Sequence, residues 1–274
     1  KNIVKGLLSS GTSTGKPSKI YLDKSNSLSQ RTTLTKIFQY HFGNTRLPMI
    51  FVAQKPNDAK LFDAKMAALN GFSIFGKNHF FMIDKNKKIN YKGLNNFLSL
   101  HQNERFIVFG FTYEIFEYLY KSLDLKKVSG SFKNSILIHG GGWKKMESIK
   151  VEKKLFKKLI SKKLKSNNIH NYYGLIEQTG SIYFECKCGY FITSMFSDIL
   201  VRNEKLNLCK KNEKGFVQLM STLPTSYPGH NIITQDIGEI VEDRFCKCKI
   251  EGKRFLIHGR AEKAEPRGCS DTIR

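Results

Sequence analysis

"LLSSGTSTGKPSKIYL" runs from Leu7 to Leu22 and joins two apolar, β-type ends through a polar centre. Gly11 and Gly15 let main-chain amides turn toward an anion. The hydroxyls of Ser9, Ser10, Thr12, Ser13 and Thr14 can donate to phosphate oxygens, and Lys16 and Lys19 add positive charge. The spacing is not that of a Walker A loop. Three residues separate the glycines, and Pro17 follows Lys16 where a helix would have to begin. On these residues alone, a phosphate clasp and a plain Ser/Gly turn between two strands both stand.

Downstream, strand-like and helix-like segments alternate. "RLPMIFVAQ", "RFIVFGF" and "SILIHG" read as buried strands. "DAKLFDAKMAALN" reads as an amphipathic helix ended by Gly71, and "YEIFEYLYKSL" as another helix. Such alternation predicts a layered α/β fold with a mainly parallel sheet. After about Ser181 the texture changes to short β-type runs separated by turn residues: "SIYFEC", "DILVRN", "GFVQLMST", "GEIVEDRFC" and "RFLIHG". A smaller antiparallel subdomain is expected there. The only polar patch resembling a linker lies near Lys85 to Asn90.

Charge and composition narrow the class. The 274 residues carry a net charge of +23, with 40% hydrophobic and 12% aromatic residues, enough for a sizeable core. The densest basic run, "KVEKKLFKKLISKKLK" (Lys150 to Lys165), has Val151, Leu155, Leu159, Ile160 and Leu164 at helical spacing. It reads as a helix with one buried face and one solvated basic face. No nucleic-acid motif accompanies the charge, and no specific nucleic-acid partner is expected. No apolar run approaches the roughly 20 residues of a membrane span, and no signal peptide is evident, so a cytoplasmic protein is expected. The chain starts at Lys1 rather than Met, and further sequence is expected beyond both ends.

All six cysteines lie in the C-terminal third. Cys186 and Cys188, and likewise Cys246 and Cys248, form two Cys-x-Cys pairs beside β-type runs. If the two hairpins adjoin, four thiolates could hold one structural Zn²⁺; unmetallated thiols are the alternative. Cys269 stands apart near Arg267, whose charge favours a thiolate.

Four motifs in order then carry a resemblance: "SSGTSTGKPSK", "NYYGLIEQTG", "TQDIGEI" and "IHGRAEKAEPRG". The set resembles the acyl-adenylating superfamily that includes acyl-CoA synthetases and luciferases. "HGGGWKK", "LPTSYPGH" and "AEPRGCSDT" narrow it to the acyl-protein synthetase (LuxE-type) branch, near phenylacetate-CoA ligase-like enzymes. The resemblance covers almost the whole chain.

What it implies is ATP-dependent activation of a fatty or other carboxylic acid as an acyl-adenylate, followed by acyl transfer to a protein cysteine. Ser10, Gly11, Thr12, Ser13, Thr14, Gly15 and Lys16 would grip the β- and γ-phosphates. Gly141 and Gly142 would wall the nucleotide from the acyl group, with His139 either touching the carboxylate or packing in the core. Tyr173 and Gly174 would lie against adenine, and Glu177 would bind Mg²⁺. Asp236 would accept hydrogen bonds from the ribose, and Arg260 would pair with ribose or phosphate near a hinge. Ile176 stands where the wider family usually has Thr, so Thr179 or another donor would have to substitute. Lys16, Glu177, Arg260 and Cys269 are the expected catalytic residues, Cys269 as acyl acceptor. The implied partner is an acyl-CoA reductase-like protein or an acyl carrier. The alternatives are an acyl- or aryl-CoA ligase and a catalytically silent adenylate-binding module. The expected organisation is an α/β core over 1–180, a β-rich subdomain over 181–258, and a hinge over 259–274 opening a small C-terminal domain that is mostly absent.

Overall fold

The computed structural model describes residues 2–9, 18–56, 64–143, 151–242 and 246–261. In chain order these form β1 (Ile3–Leu8), β2 (Lys19–Asp23), α1 (Lys24–Phe42), β3 (Leu47–Gln54), α2 (Ala64–Ser73), β4 (Gly76–Ile83) and α3 (Tyr91–Leu100). Next come β5 (Phe106–Phe111), α4 (Thr112–Glu114) continuing as a π-helical stretch (Ile115–Ser122), β6 (Ser135–Gly140), α5 (Lys153–Leu164) and β7 (Ile169–Gly174). The last are β8 (Ile182–Phe184), β9 (Phe191–Ile192), β10 (Ser197–Arg202), β11 (Gly215–Ser221), β12 (Asn231–Val241) and β13 (Arg254–Arg260). The architecture is mixed α/β, as the alternation predicts. Two compact units divide the chain: Lys1–Asn44, Leu61–Ala67 and Tyr172–Arg274 in the first, Thr45–Lys60 and Ala68–Asn171 in the second. No helix among the described residues is long and apolar enough to cross a membrane.

The second unit is built on parallel strands in the order β4-β3-β5-β6. Met49 to Ala53 and every residue of β5 and β6 are buried, the near-continuous apolar run of strands covered on both faces. Against one face pack Leu94 and Leu98 of α3, Leu119 of the π-helical stretch, and Phe156, Ile160 and Leu164 of α5. The last three recur every fourth residue, which puts them on one side of the helix. Leu155, expected on that buried face, is 44% exposed; Phe156 takes its place, because one step along a helix rotates a side chain by about 100°. Truncating Phe156 to Ala would cost about 3–5 kcal/mol. Helix α2 runs through Gly71 to Ser73 rather than ending there. The polar patch after Asp84 is a tight turn whose Oδ1 accepts from the amides of Asn86 and Lys88, and Asn90 then caps α3 by accepting from the Gly93 amide.

The first unit contains a five-stranded antiparallel sheet in the order β10-β11-β12-β13-β9. Tyr183, Phe191, Ile199, Val217, Leu219 and Phe255 form its core. Residues 181–258 fall within this unit. Its longest helix, α1, starts where Asp23 Oδ1 accepts from the Asn26 amide at 2.8 Å. The hairpin β1–β2 is antiparallel and seats Leu7, Ile20 and Leu22 against Ala67, Ile176 and Tyr227.

Candidate functional site: a nucleotide clasp and a thiol cluster

Of the glycine-and-hydroxyl clasp, residues Ser10 to Lys16 lie outside the described residues, as does Cys269. The described flanks show how the loop is anchored. Strands β1 and β2 pair up to Leu8 and Lys19. The Ser9 amide donates to the Ser18 carbonyl at 3.0 Å, and the Ser18 amide donates to Ser9 Oγ at 2.7 Å. Buried Ser9 therefore closes the neck of the hairpin, and the loop springs from a fixed base.

Tyr173, Asp236 and Arg260 come together from three strands of the first unit. Asp236 on β12 stands directly across from Arg260 on β13, with Arg260 Nε 3.7 Å from Asp236 Oδ1. The Tyr173 hydroxyl, on β7, donates to Asp236 Oδ2 at 2.6 Å. The Asp236 amide donates to Thr234 Oγ1. Burial, and then the carboxylate beside it, hold the Tyr173 hydroxyl well above the usual phenol range, so it remains a donor. Burial raises the Asp236 carboxyl above the usual carboxylate value, and the Tyr173 hydrogen bond and the Arg260 charge pull back against that rise. The Tyr173 ring lies 6.0 to 6.3 Å from those of Tyr183, Phe191 and Phe255. Tyr173 thus ties the sheet's aromatic core to the carboxylate expected to meet a ribose.

Glu177 sits on a short 3₁₀ turn, Ile176–Gln178. Two residues to which the sequence reading gave no role hold that turn. The buried Gln178 Nε2 donates to the carbonyls of Leu219 at 3.1 Å, Gly229 at 2.8 Å and His230 at 3.4 Å. Tyr227 lies beside Glu177, and its phenol is raised by burial first and by the Glu177 charge second. Gly229 passes so close that a Cβ there would meet the Glu177 carbonyl at 2.6 Å, so the approach requires glycine. The only signal for these residues in the sequence is their place in "YYGLIEQTG" and "LPTSYPGH". Among the described residues, the four cysteines are the one group of three or more potential metal ligands. Among those residues Glu177 belongs to no such group. A single, partly exposed carboxylate suits a Mg²⁺ that arrives with its phosphates.

Gly141 and Gly142 lie in the second unit, just past β6. Gly141 has φ +76°, with the Phe111 ring 3.1 Å from where a Cβ would stand. Among the described residues, no atom lies within 4 Å of where a Cβ on Gly142 would stand. His139 is buried, its Nδ1 2.9 Å from Thr112 Oγ1 and its ring against Phe156. Trp143 packs edge-on against Phe116 and Phe156.

Cys186, Cys188, Cys246 and Cys248 are brought together, all four sulfurs within 4.8 Å of one another. Cys186 Sγ is 3.6 Å from Cys246 Sγ, and Cys246 Sγ is 2.9 Å from Cys248 Sγ. Tetrahedral zinc with Zn–S near 2.3 Å sets sulfurs about 3.8 Å apart, a spacing that lies between the 2.9 Å of the tightest pair and the 4.8 Å limit of the group, so binding would part the Cys246–Cys248 pair and draw the wider ones in. The main-chain N–H groups of Cys188 and Tyr190 hydrogen-bond Cys186, and that of Ile250 hydrogen-bonds Cys248. Burial pushes the Cys186 thiol up to about 12 and the amides of Cys188 and Tyr190 pull against that rise, so it is a bound cation that would make it a thiolate. The exposed Lys187, Lys247 and Lys249 offset the surplus negative charge of a four-thiolate shell. The residues present fit zinc. Cys209 is outside the cluster.

The fold has known counterparts. ATP-bound MatB from Rhodopseudomonas palustris superposes with a TM-score of 0.58 at 15% identity, over 94% of this chain and 48% of that one. The luciferase-like enzyme of the nonluminescent mealworm Zophobas morio gives 0.59 at 14%, over 94% and 58%. An open form of 2-hydroxyisobutyryl-CoA ligase, in complex with 2-HIB-AMP and CoA, gives 0.69 at 11%, over 95% and 54%. The chain thus spans about half the length of these structures, whose likeness at such identities is one of fold. No curated protein sequence matches it. The family model described as acyl-protein synthetase, LuxE, matches residues 1–274. Matched from end to end, with the fold of acyl-adenylating enzymes, the chain belongs to the acyl-protein synthetase (LuxE) family of ligases.

Proposed function

We propose that this chain activates a fatty acid, or another carboxylic acid, as its acyl-adenylate and passes the acyl group to a cysteine thiol. The reading is supported above all by the Tyr173–Asp236–Arg260 cluster. A carboxylate oriented by a phenol and faced by a guanidinium is suited to hold ribose hydroxyls and keep a negative phosphate close. In the first step a carboxylate oxygen of the acid attacks the α-phosphorus of ATP, and the bond to pyrophosphate breaks. Both partners are anions, so the barrier falls mainly through positioned donors and positive charge. The loop from Ser10 to Lys16 supplies these at the β- and γ-phosphates and Arg260 at the α-phosphate side, and Glu177 would hold a Mg²⁺ ion, whose chemistry would be to neutralise phosphate charge. Tyr173 and Gly174 border the adenine.

In the second step a thiolate attacks the acyl carbonyl carbon and AMP leaves with the electron pair of its C–O bond. Cys269 is the proposed acceptor, and an acyl-CoA reductase-like protein or an acyl carrier the onward partner. The clustered Cys186, Cys188, Cys246 and Cys248 would hold zinc in a structural role, because a four-thiolate shell leaves no open position for catalysis.

ATP–pyrophosphate exchange across a panel of carboxylic acids tests the first step: exchange dependent on one acid class is expected, and nucleotide binding without exchange for any acid would leave only a silent binding module. Labelled acyl chain retained on denatured protein, and lost in Cys269→Ala, is expected for the second. Label appearing instead on added coenzyme A would mark an acyl-CoA ligase.

A further inference from the structure

Strand β9 is only two residues long. It meets β13 through Arg254 with Ile192 and Phe255 with Phe191, the contact is extended by hydrogen bonds between Thr193 and Lys253, and a single bridge joins Phe191 to Glu185. So short an edge strand has few main-chain bonds to hold it closed. Yet it carries Phe191, whose ring lies 5.5 Å from Phe255 and 6.0 Å from Tyr173. The same strand that begins at Arg254 and Phe255 ends at Arg260, opposite Asp236. The sheet edge at β9 and the nucleotide cluster are thus joined through one aromatic core and one strand.

The thiol cluster stands at that edge. Cys186 and Cys188 lie in the turn between β8 and β9, where the Cys186 amide donates to the Tyr190 carbonyl and the Gly189 amide to the Cys186 carbonyl. Cys246 and Cys248 lie between β12 and β13. The Arg254 guanidinium binds the Cys248 loop to the start of β13, donating to the carbonyls of Ile250 at 2.8 Å, Gly252 at 3.0 Å and Cys248 at 3.4 Å. One metal ion bound by both pairs would join two turns distant in sequence, the kind of cross-link that most restricts an unfolded chain.

We propose that zinc held by Cys186, Cys188, Cys246 and Cys248 clamps β9 to β13 and thereby sets the positions of Phe191, Phe255, Tyr173, Asp236 and Arg260. The zinc is a positioning element for the nucleotide cluster, acting through the aromatic core, and not merely a local staple. This rests on the zinc assignment above and, for its functional consequence, on the adenylation reading.

The test uses the full chain and two routes to a zinc-free state: Cys188→Ser, at an exposed position whose loss leaves no buried hole, and chelation of the wild-type protein with later return of zinc. Bound metal is measured by mass spectrometry, and amide hydrogen exchange is followed residue by residue. About one zinc per wild-type chain is expected, and almost none in the variant. Zinc loss should speed exchange about tenfold or more at Phe191, Ile192, Arg254 and Phe255, and measurably at Asp236 and Arg260, leave β3 and β5 unchanged, and be reversed by added zinc. Zinc-free wild-type protein as purified, or unchanged exchange at these amides after zinc loss, overturns the clamp. ATP affinity is read on the same samples. A chain that holds zinc and shows the exchange pattern but binds no ATP supports the clamp and overturns the adenylation reading instead.

Discussion

Tyr173 divides its side chain between two neighbours: the ring packs on Tyr183, Phe191 and Phe255, while the hydroxyl donates to Asp236. Tyr173→Phe keeps the first contact and deletes the second. A hydrogen bond to a charged group contributes about 1.5–3 kcal/mol, so ATP binding is expected to weaken roughly tenfold or more while the fold persists; calorimetric titration with ATP decides it. Asp236 adds a pH test. Its carboxyl ionises above the ordinary carboxylate value, and only the ionised form accepts two ribose hydroxyls without a proton of its own. As pH falls through that raised value, ATP affinity should drop sooner than an ordinary aspartate predicts. Asp236→Asn cannot titrate, so the ratio of wild-type to variant affinity should shrink toward acid pH. Comparing the two proteins at each pH cancels the titration of ATP itself. A ratio independent of pH would exclude ionised Asp236 from nucleotide binding.

At the level of elements, the Glu177 turn is held from outside itself. Gln178→Leu leaves the Leu219 and Gly229 carbonyls without its amide, which costs about 1–3 kcal/mol for a buried group. The melting temperature should fall, and the Mg²⁺ concentration for half-maximal pyrophosphate exchange should rise, whereas Lys205→Ala, at an exposed position between β10 and β11, should change neither. A stability loss with unaltered Mg²⁺ dependence would make Gln178 structural only. The same contacts explain what could be read from the sequence. The nucleotide motifs are short strings, so Tyr173, Glu177, Asp236 and Arg260 are visible in it. The partners of Gln178 lie 41 and 51 positions away, and nothing local announces them. Strands β3, β5 and β6 are legible because burial on both faces makes them continuously apolar. Helix α1 is not, because its inward face carries Asn26, Gln30 and Thr33 alongside Leu34, Ile37 and Phe38. Asn26 is buried for its hydrogen bonds, donating to the Leu223 carbonyl and accepting from Ser226 Oγ, and a hydrophobic-periodicity reading passes over such a face.

Over the whole molecule, charge is the property that no single contact explains. Forty-six basic residues face 23 acidic ones. The ion pairs among the described residues include Lys77–Glu104 at 3.9 Å, Lys121–Glu117 at 3.7 Å and Lys253–Asp198 at 2.7 Å. All three are solvent-exposed, the class that contributes about 0–1 kcal/mol each. Against them stands the mutual repulsion of a net +23, which opposes compaction. Helix α5 concentrates that repulsion, setting Lys154, Lys158 and Lys162 one turn apart along its exposed side, where like charges at this spacing destabilise by a few tenths of a kcal/mol per pair. Salt weakens repulsion and attraction alike, so the sign of its effect reports which dominates. The melting temperature is expected to rise by a few degrees between about 20 mM and about 300 mM NaCl. Lys158→Glu, which turns both like-charged pairs on that side into opposite ones, should raise the low-salt value and flatten the dependence, with the buried Phe156, Ile160 and Leu164 face left intact. A melting temperature that falls with salt would mean that attractive pairs outweigh the excess of lysine, and that the basic face of α5 is held in place by acidic neighbours rather than by solvent.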